Sequence, residues 1–297
     1  FDDLRQDTLA LANARELSPA MNRRTALQAA MGLGYAAAVL PTLAATAIQT
    51  PTTGLDAQMT SVKVDGFDVG FYVAKPAGKT NLPVVLVLSE IFGLHEYIAD
   101  TARRFAQAGY MAIAPELFER QGDAQSYGEM AKLIAEVISK VPDAQVMKDL
   151  DAIVGWAQSH GGDTQRLAVT GFCWGGRQTW LYAAHQPKVK AAVAWYGRLV
   201  GNVSALTPKN PVDVVAQLNA PVLGLYGQAD TGIPMDTLAL MQNRLAQGSA
   251  AAQKSKFIAY PEAPHAFHAD YRPSYREAPA KDGWIQCLAW FKQNGVA

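Results

Sequence analysis

The chain has 297 residues, 49% of them hydrophobic, and its 26 basic side chains balance 26 acidic ones. That length supports one large core, and zero net charge excludes a field that would draw the protein to nucleic acid or to an anionic membrane surface. A small molecule is therefore the expected partner. The cysteines, Cys173 and Cys287, lie far apart and match no zinc or redox spacing, which argues against a disulfide framework.

Residues 1–54 read as an N-terminal extension and 55–297 as one α/β domain. Phe1 to Ala20 is polar and mildly acidic without a strong period, after which Asn22-Arg23-Arg24-Thr25-Ala26-Leu27 leads into an apolar run from Ala29 to Leu40. Pro41 and the small-residue stretch Ala44-Ala45-Thr46-Ala47 follow. A charged start, a short apolar run and an A-x-A site describe a secretory signal. The run is too short for a transmembrane span, which needs roughly 20 apolar residues. Paired arginines before a weakly hydrophobic run resemble a twin-arginine export signal. Residues 22–47 are thus expected to direct the protein to the periplasm, with a mature chain beginning near Ile48 and no stable membrane anchor. An amphipathic helix packed on the domain, in a cytoplasmic protein, is the alternative.

From Gln58 the pattern alternates. Gln58 to Val64 and Phe67 to Ala74 are β-rich and flank Asp65-Gly66, a pair suited to a type I′ hairpin turn. Leu82 to Ser89 is a continuous apolar run of the kind buried on both faces of a parallel sheet. Ile98, Ala102, Phe105 and Ala106 recur at helical spacing until Gly109, and Tyr110 to Ala114 reads as the next strand. Ser126 to Lys140 and Ala144 to Ser159 read as helices, Arg166 to Thr170 as a strand, and Gly175 to His185 as a helix. Val189 to Trp195 and Pro221 to Tyr226 are strands. Met235 to Leu245, Lys256 to Tyr260 and Ala280 to Lys292 close the chain as helix, strand, helix. Such alternation predicts a mostly parallel central sheet with helices on both faces and a site at the carboxyl ends of its strands.

Gly171-Phe172-Cys173-Trp174-Gly175 has the nucleophile-elbow pattern G-x-S-x-G with cysteine in the serine position, and it falls between a predicted strand and a predicted helix. A helix N-terminus there favours the thiolate; an inert cysteine in an ordinary turn is the alternative. Asp230 follows the strand Pro221 to Tyr226, and His265 follows Lys256 to Tyr260, in the nucleophile, acid, histidine order of α/β-hydrolases. In that arrangement His265 takes the thiol proton and Asp230 fixes its tautomer. His268 is a rival for His265, and Asp230 could instead cap the helix that follows it. The oxyanion donors are expected to be the backbone N–H groups of Trp174 and Ile91. Glu90 then falls beside the nucleophile, with a solvated loop carboxylate as the alternative.

Ser89-Glu90-Ile91-Phe92-Gly93, Gly171-Phe172-Cys173-Trp174-Gly175-Gly176, Tyr226-Gly227-Gln228-Ala229-Asp230 and His265-Ala266-Phe267-His268 together resemble the dienelactone hydrolases, or carboxymethylenebutenolidases. The resemblance spans roughly Ser61 to Phe291. It implies the α/β-hydrolase fold, hydrolysis of a lactone or activated ester through a thioester on Cys173, and no metal or organic cofactor. It also implies that Glu90 holds the resting thiol. One departure bears on substrate: the substrate-gripping arginine of the aromatic-degrading members falls at Ala269 here. Arg272, Arg198 and Arg120 are candidate replacements. Phe92, Tyr196 and Trp174 are candidate apolar walls, and Cys287 reads as a buried small hydrophobe on the last helix.

Overall fold

A computed structural model describes residues 47–297. Residues 1–46, which hold the paired arginines and nearly all of the expected export segment, lie outside the described residues.

The domain opens with a hairpin of β1 (Leu55–Val64) and β2 (Phe67–Pro76), paired antiparallel out to Val64 opposite Phe67. Asp65 and Gly66 both have positive φ, 49° and 82°, as a two-residue type I′ turn requires. β2 also pairs antiparallel with β4 (Met111–Pro115), and every further pairing is parallel. The remaining strands are β3 (Leu82–Leu88), β5 (Gly162–Phe172), β6 (Val189–Trp195), β7 (Val222–Gly227) and β8 (Lys256–Tyr260). They form one 8-stranded sheet in the order β1-β2-β4-β3-β5-β6-β7-β8. Val84 to Leu88 are fully buried, which explains their unbroken apolar run: helices cover both faces of a central parallel strand.

Helix α1 (Glu96–Gln107) turns Ile98, Ala102, Phe105 and Ala106 inward. Helices α2 (Met130–Glu136), α3 (Asp143–Ser159), α4 (Trp174–His185), α5 (Met235–Ala246), α6 (Ala250–Lys254) and α7 (Glu277–Gln293) follow. Among the described residues no helix is long and apolar enough to cross a membrane.

Two expectations are corrected. Ser126 to Lys140 is not one helix but a 3₁₀ turn at Ala124–Ser126, then α2, then a second 3₁₀ turn at Ile138–Lys140. Gly128 weakens helix between the first two, and the apolar side chains that anchor the segment, Leu133, Val137 and Ile138, crowd its far end. β5 begins at Gly162 rather than Arg166, because Gly162 and Asp163 pair with Leu82 and Pro83 before a register shift. Polar residues at a bulge carry no alternating signal. Helix α6, started by the Ser249 side chain accepting from Ala252 N–H, has too few apolar residues to stand out in the sequence.

Candidate active site

Cys173 stands alone between β5 and α4 with φ 53° and ψ −111°, a conformation that costs an L residue roughly 1–3 kcal/mol and persists only where its surroundings impose it. They do. A Cβ on Gly171 would lie 2.4 Å from the Gly175 carbonyl oxygen, and one on Gly175 would lie 2.4 Å from that of Leu88. The two glycines therefore let the turn close on itself and seat α4 on the end of β3. The Cys173 N–H donates to Trp195 O at 3.0 Å, and Cys173 O accepts from Arg177 N–H at 3.1 Å. The side chain is half-buried at the N-terminus of α4, where unpaired N–H groups and the helix dipole favour an anion.

The loops after β7 and β8 are laced together by Gln228 N–H to Tyr260 O at 2.9 Å and Ala229 N–H to Ala263 O at 3.1 Å. That lacing presents Asp230 to His265, with Asp230 Oδ2 2.7 Å from His265 Nδ1. Asp230 Oδ1 accepts from Gly232 N–H at 2.9 Å, so the carboxylate both caps its own turn and holds the imidazole. The His265 ring is hydrogen-bonded in turn to Cys173. Burial opposes a charge on His265, but the electrostatic pull of Cys173 and the imidazole's hydrogen bonds to Asp230 and Cys173 outweigh it, and the imidazole is raised to about 9. The structure thus brings Cys173, His265 and Asp230 together.

His268 lies elsewhere. Its Nδ1 is 2.6 Å from the Tyr97 hydroxyl, its ring packs against Phe172 and Trp195 at 5.2 Å and 4.4 Å, and burial keeps it neutral far below the ordinary histidine range. The ring nitrogen that bonds a carboxylate belongs to His265, while the one on His268 bonds a phenol.

Glu90, 3% exposed, follows β3. Its Oε1 accepts from the Tyr271 hydroxyl at 3.0 Å and lies 3.3 Å from His95 Nε2. Burial would raise its carboxyl, but His95 and Arg272 hold it below the ordinary range. Its Oε2 has no hydrogen-bond donor among the described residues. The structure gives the Cys173 thiol to His265, and the contacts of Glu90 are His95, Tyr271 and Arg272. Tyr196 is buried at positive φ, 37°, with its ring 5.2 Å from that of His265 and its hydroxyl bonded to Tyr97. The Phe92 side chain is buried in a T-shaped contact with the His95 ring at 6.3 Å, and the Trp174 ring packs on Phe118 at 4.8 Å. Among the described residues no loop or turn carbonyl accepts from the N–H of Ile91 or Trp174.

Of the three arginines, Arg120 is already engaged within the domain. Its guanidinium grips Asp149 with both terminal nitrogens and lies over the Phe67 ring, which commits it to fastening α3 to the hairpin. Arg198 is exposed. Arg272 is 4% exposed and couples electrostatically to Glu90 and Tyr196. His95, Tyr97 and Tyr271 were not singled out by sequence; only their aromatic or titratable character could have marked them.

A mostly parallel sheet of this order, with a strained strand-to-helix turn at the end of a central strand, is the α/β-hydrolase fold. Within it the chain belongs to the dienelactone hydrolase family, whose model matches residues 69–295, and it is a hydrolase of that kind. A Methylorubrum extorquens protein named as a carboxymethylenebutenolidase is 54% identical over 279 residues, 93% of this chain and 94% of its own. An Escherichia coli K12 protein of the same name is 51% identical over 263 residues, 88% of this chain and 96% of its own. The crystal structure of a protein described as a dienelactone hydrolase from Klebsiella pneumoniae superposes with TM-score 0.78 at 55% identity, covering 80% of this chain and 99% of that one.

Proposed function

We propose that the protein hydrolyses a lactone or carboxylic ester through a thioester on Cys173. The observation that carries this reading is the hydrogen-bonded line from Asp230 through His265 to a half-buried cysteine at a helix N-terminus. The Cys173 thiolate attacks the acyl carbon, and the developing oxyanion meets the N–H groups of Ile91 and Trp174. The acyl C–O bond then breaks and the His265 imidazolium gives its proton to the departing alkoxide, which in a lactone stays tethered to the acyl group. Acylation removes the negative charge on sulfur, which is a main cause of the raised imidazole. His265 thus loses affinity for its proton at the stage when it must take one from water. Hydroxide adds to the thioester, thiolate leaves, and the cycle closes without metal or organic cofactor.

In the resting enzyme Glu90 Oε2, which has no donor of its own among the described residues, accepts a hydrogen bond from the neutral Cys173 thiol and yields when substrate enters, which keeps the sulfur protonated at rest. Tyr196 and Phe92 line the acyl side. Arg272 supplies the buried positive charge for a substrate carboxylate, a role that Ala269 cannot fill. A Bradyrhizobium relative, 32% identical over 244 residues, is named as a lactonase of 2-oxo-3-(5-oxofuran-2-ylidene)propanoate, itself a lactone bearing a carboxylate.

The test is p-nitrophenyl acetate hydrolysis together with intact-mass spectrometry of the enzyme trapped during turnover. An acetyl group on the Cys173 peptide is expected, and both adduct and turnover should vanish in Cys173→Ala. Turnover retained by that variant would move the nucleophile to another residue.

A further inference from the structure

A second hollow lies away from the site around Cys173 and shares no lining residue with it. It has a volume of about 340 Å³, with aromatic walls from Trp284 and Tyr275 and aliphatic ones from Ile48, Ala280 and Ile285. Ile48 and Ile285 are 44% and 63% exposed and form its mouth. An apolar cavity of roughly 150 Å³ already admits benzene, so this one has room for a substituted ring.

The buried polar residue of its lining is His268, 2% exposed. Its Nδ1 lies 2.6 Å from the Tyr97 hydroxyl. Nε2 has no hydrogen-bond partner among the described residues, yet it is not sealed in protein, and the space it meets is this cavity. Burial raises the Tyr196 hydroxyl far above its ordinary range, while its bond to Tyr97 acts in the opposite sense, as a proton donated to the Tyr196 oxygen would. Tyr97 has one proton to give. With that proton on the Tyr196 side, Tyr97 accepts from His268 Nδ1–H, and a neutral imidazole so protonated keeps a bare lone pair at Nε2. Burial and the charge of Arg104 hold His268 neutral. An acceptor in the wall of an apolar cavity calls for a ligand that donates. The cations of the cavity are already held, Arg104 by Asp100 at 2.6 Å and Asp270 at 2.5 Å, and Lys281 by Glu277 at 2.5 Å. A carboxylate ligand would thus meet cations already neutralised, and it has no proton for Nε2.

We propose that this cavity is a second binding site, for a neutral one-ring phenol whose ring packs against Trp284, Ile48 and Ile285 and whose hydroxyl donates to His268 Nε2. The site is independent of the hydrolase chemistry of Cys173. The bound hydroxyl heads a line of hydrogen bonds that runs through His268 and Tyr97 to Tyr196, beside His265.

The probe is p-cresol, titrated by calorimetry into the whole chain before and after Cys173 is alkylated with iodoacetamide. One equivalent should bind in both cases, with Kd on the order of 0.1–1 mM for so small a molecule. The ether p-methylanisole keeps the ring but has no O–H, and it should bind about tenfold more weakly, the upper end of what one hydrogen bond contributes. The anion p-toluate should bind more weakly still. In the imidazole nitrogen NMR spectrum, p-cresol should move the His268 Nε2 signal and leave those of His265 in place. Ala280→Phe fills the cavity and should abolish binding, while Ile285→Glu, at an exposed position that tolerates charge, should weaken it several-fold. No saturable binding, or binding lost on alkylation, overturns the second site. Equal affinity for p-methylanisole or p-toluate, or an unmoved His268 signal, overturns the bond to Nε2. Binding that Ile285→Glu leaves intact places the phenol elsewhere and overturns the proposal even if Ala280→Phe fails to fold.

Discussion

Replacing Asp230 by Asn tests how much of the His265 chemistry depends on one contact. The native bond is 2.7 Å long, and its carboxylate side chain is 2% exposed while the imidazole is 28% exposed. A hydrogen bond to a charged group contributes about 1.5–3 kcal/mol, and one pKa unit corresponds to about 1.36 kcal/mol. The Asp230→Asn change should therefore lower the imidazole from about 9 by roughly 1–2 units. In kcat/KM for p-nitrophenyl acetate, which reports the free enzyme, the alkaline limb set by loss of the imidazolium should move down by the same amount. Because the amide can also hold the wrong tautomer, the plateau rate should fall by up to about 10⁴. The sign extends to stability. His265 is raised above its ordinary value, so its contribution is full below about 6.5 and disappears as pH rises through about 9. The assays are pH–rate profiles and melting temperatures for both proteins. An alkaline limb that stays in place, with a rate within a few-fold of wild type, would refute the coupling of Asp230 to His265.

Glu90→Gln should make Cys173 react faster with iodoacetamide near neutral pH while turnover falls; equal alkylation profiles would make Glu90 an ordinary loop carboxylate. Peptide mapping after alkylation should show label on Cys173 alone, because Cys287 is fully buried and burial holds its thiol protonated. His265→Ala should cost several orders of magnitude in rate. His268→Ala should instead lower the melting temperature by opening a cavity among Phe172, Trp195 and Trp284, with a much smaller loss of rate, and the reverse ranking would exchange their roles. Gly175→Ala, whose Cβ would collide with the Leu88 and Ser89 carbonyl oxygens at 2.4 Å and 2.5 Å, should yield little soluble protein; normal yield and melting would show that the elbow can open.

Features written in neighbouring residues were readable in the sequence. Asp65-Gly66 named its own turn, the run from Val84 to Leu88 named a strand buried on both faces, and G-x-C-x-G between strand and helix named the elbow. Contacts between distant residues that carry no motif were not. The Tyr271 hydroxyl reaches Glu90 across a separation of 181 residues, and the Tyr97 hydroxyl reaches His268 across 171. Nothing local marks either tyrosine. The ion-pair partner of Arg120, Asp149, likewise arrives on α3 from a later part of the chain. The helix expected over Ser126 to Lys140 failed because periodicity says which face is apolar but not whether a core is there to receive it.

The elbow is seated on a strand that is remote from it in sequence. β3 and β5 pair in register from Val84 opposite Leu167 to Leu88 opposite Gly171, while β4, made between them in the chain, lies on the far side of β3. Helices α1 and α4 can form from local interactions, but the strained backbone at Cys173 has nothing to hold it until Leu88, Trp195 and α4 have met. Non-local pairings of this kind close late and slowly. A refolding chain will regain helical signal first, with an ordinary, sluggish thiol at position 173, and the burst of thiol reactivity will mark the moment the centre of the sheet assembles. The sulfur is thus a chemical clock for the closing of the sheet's centre.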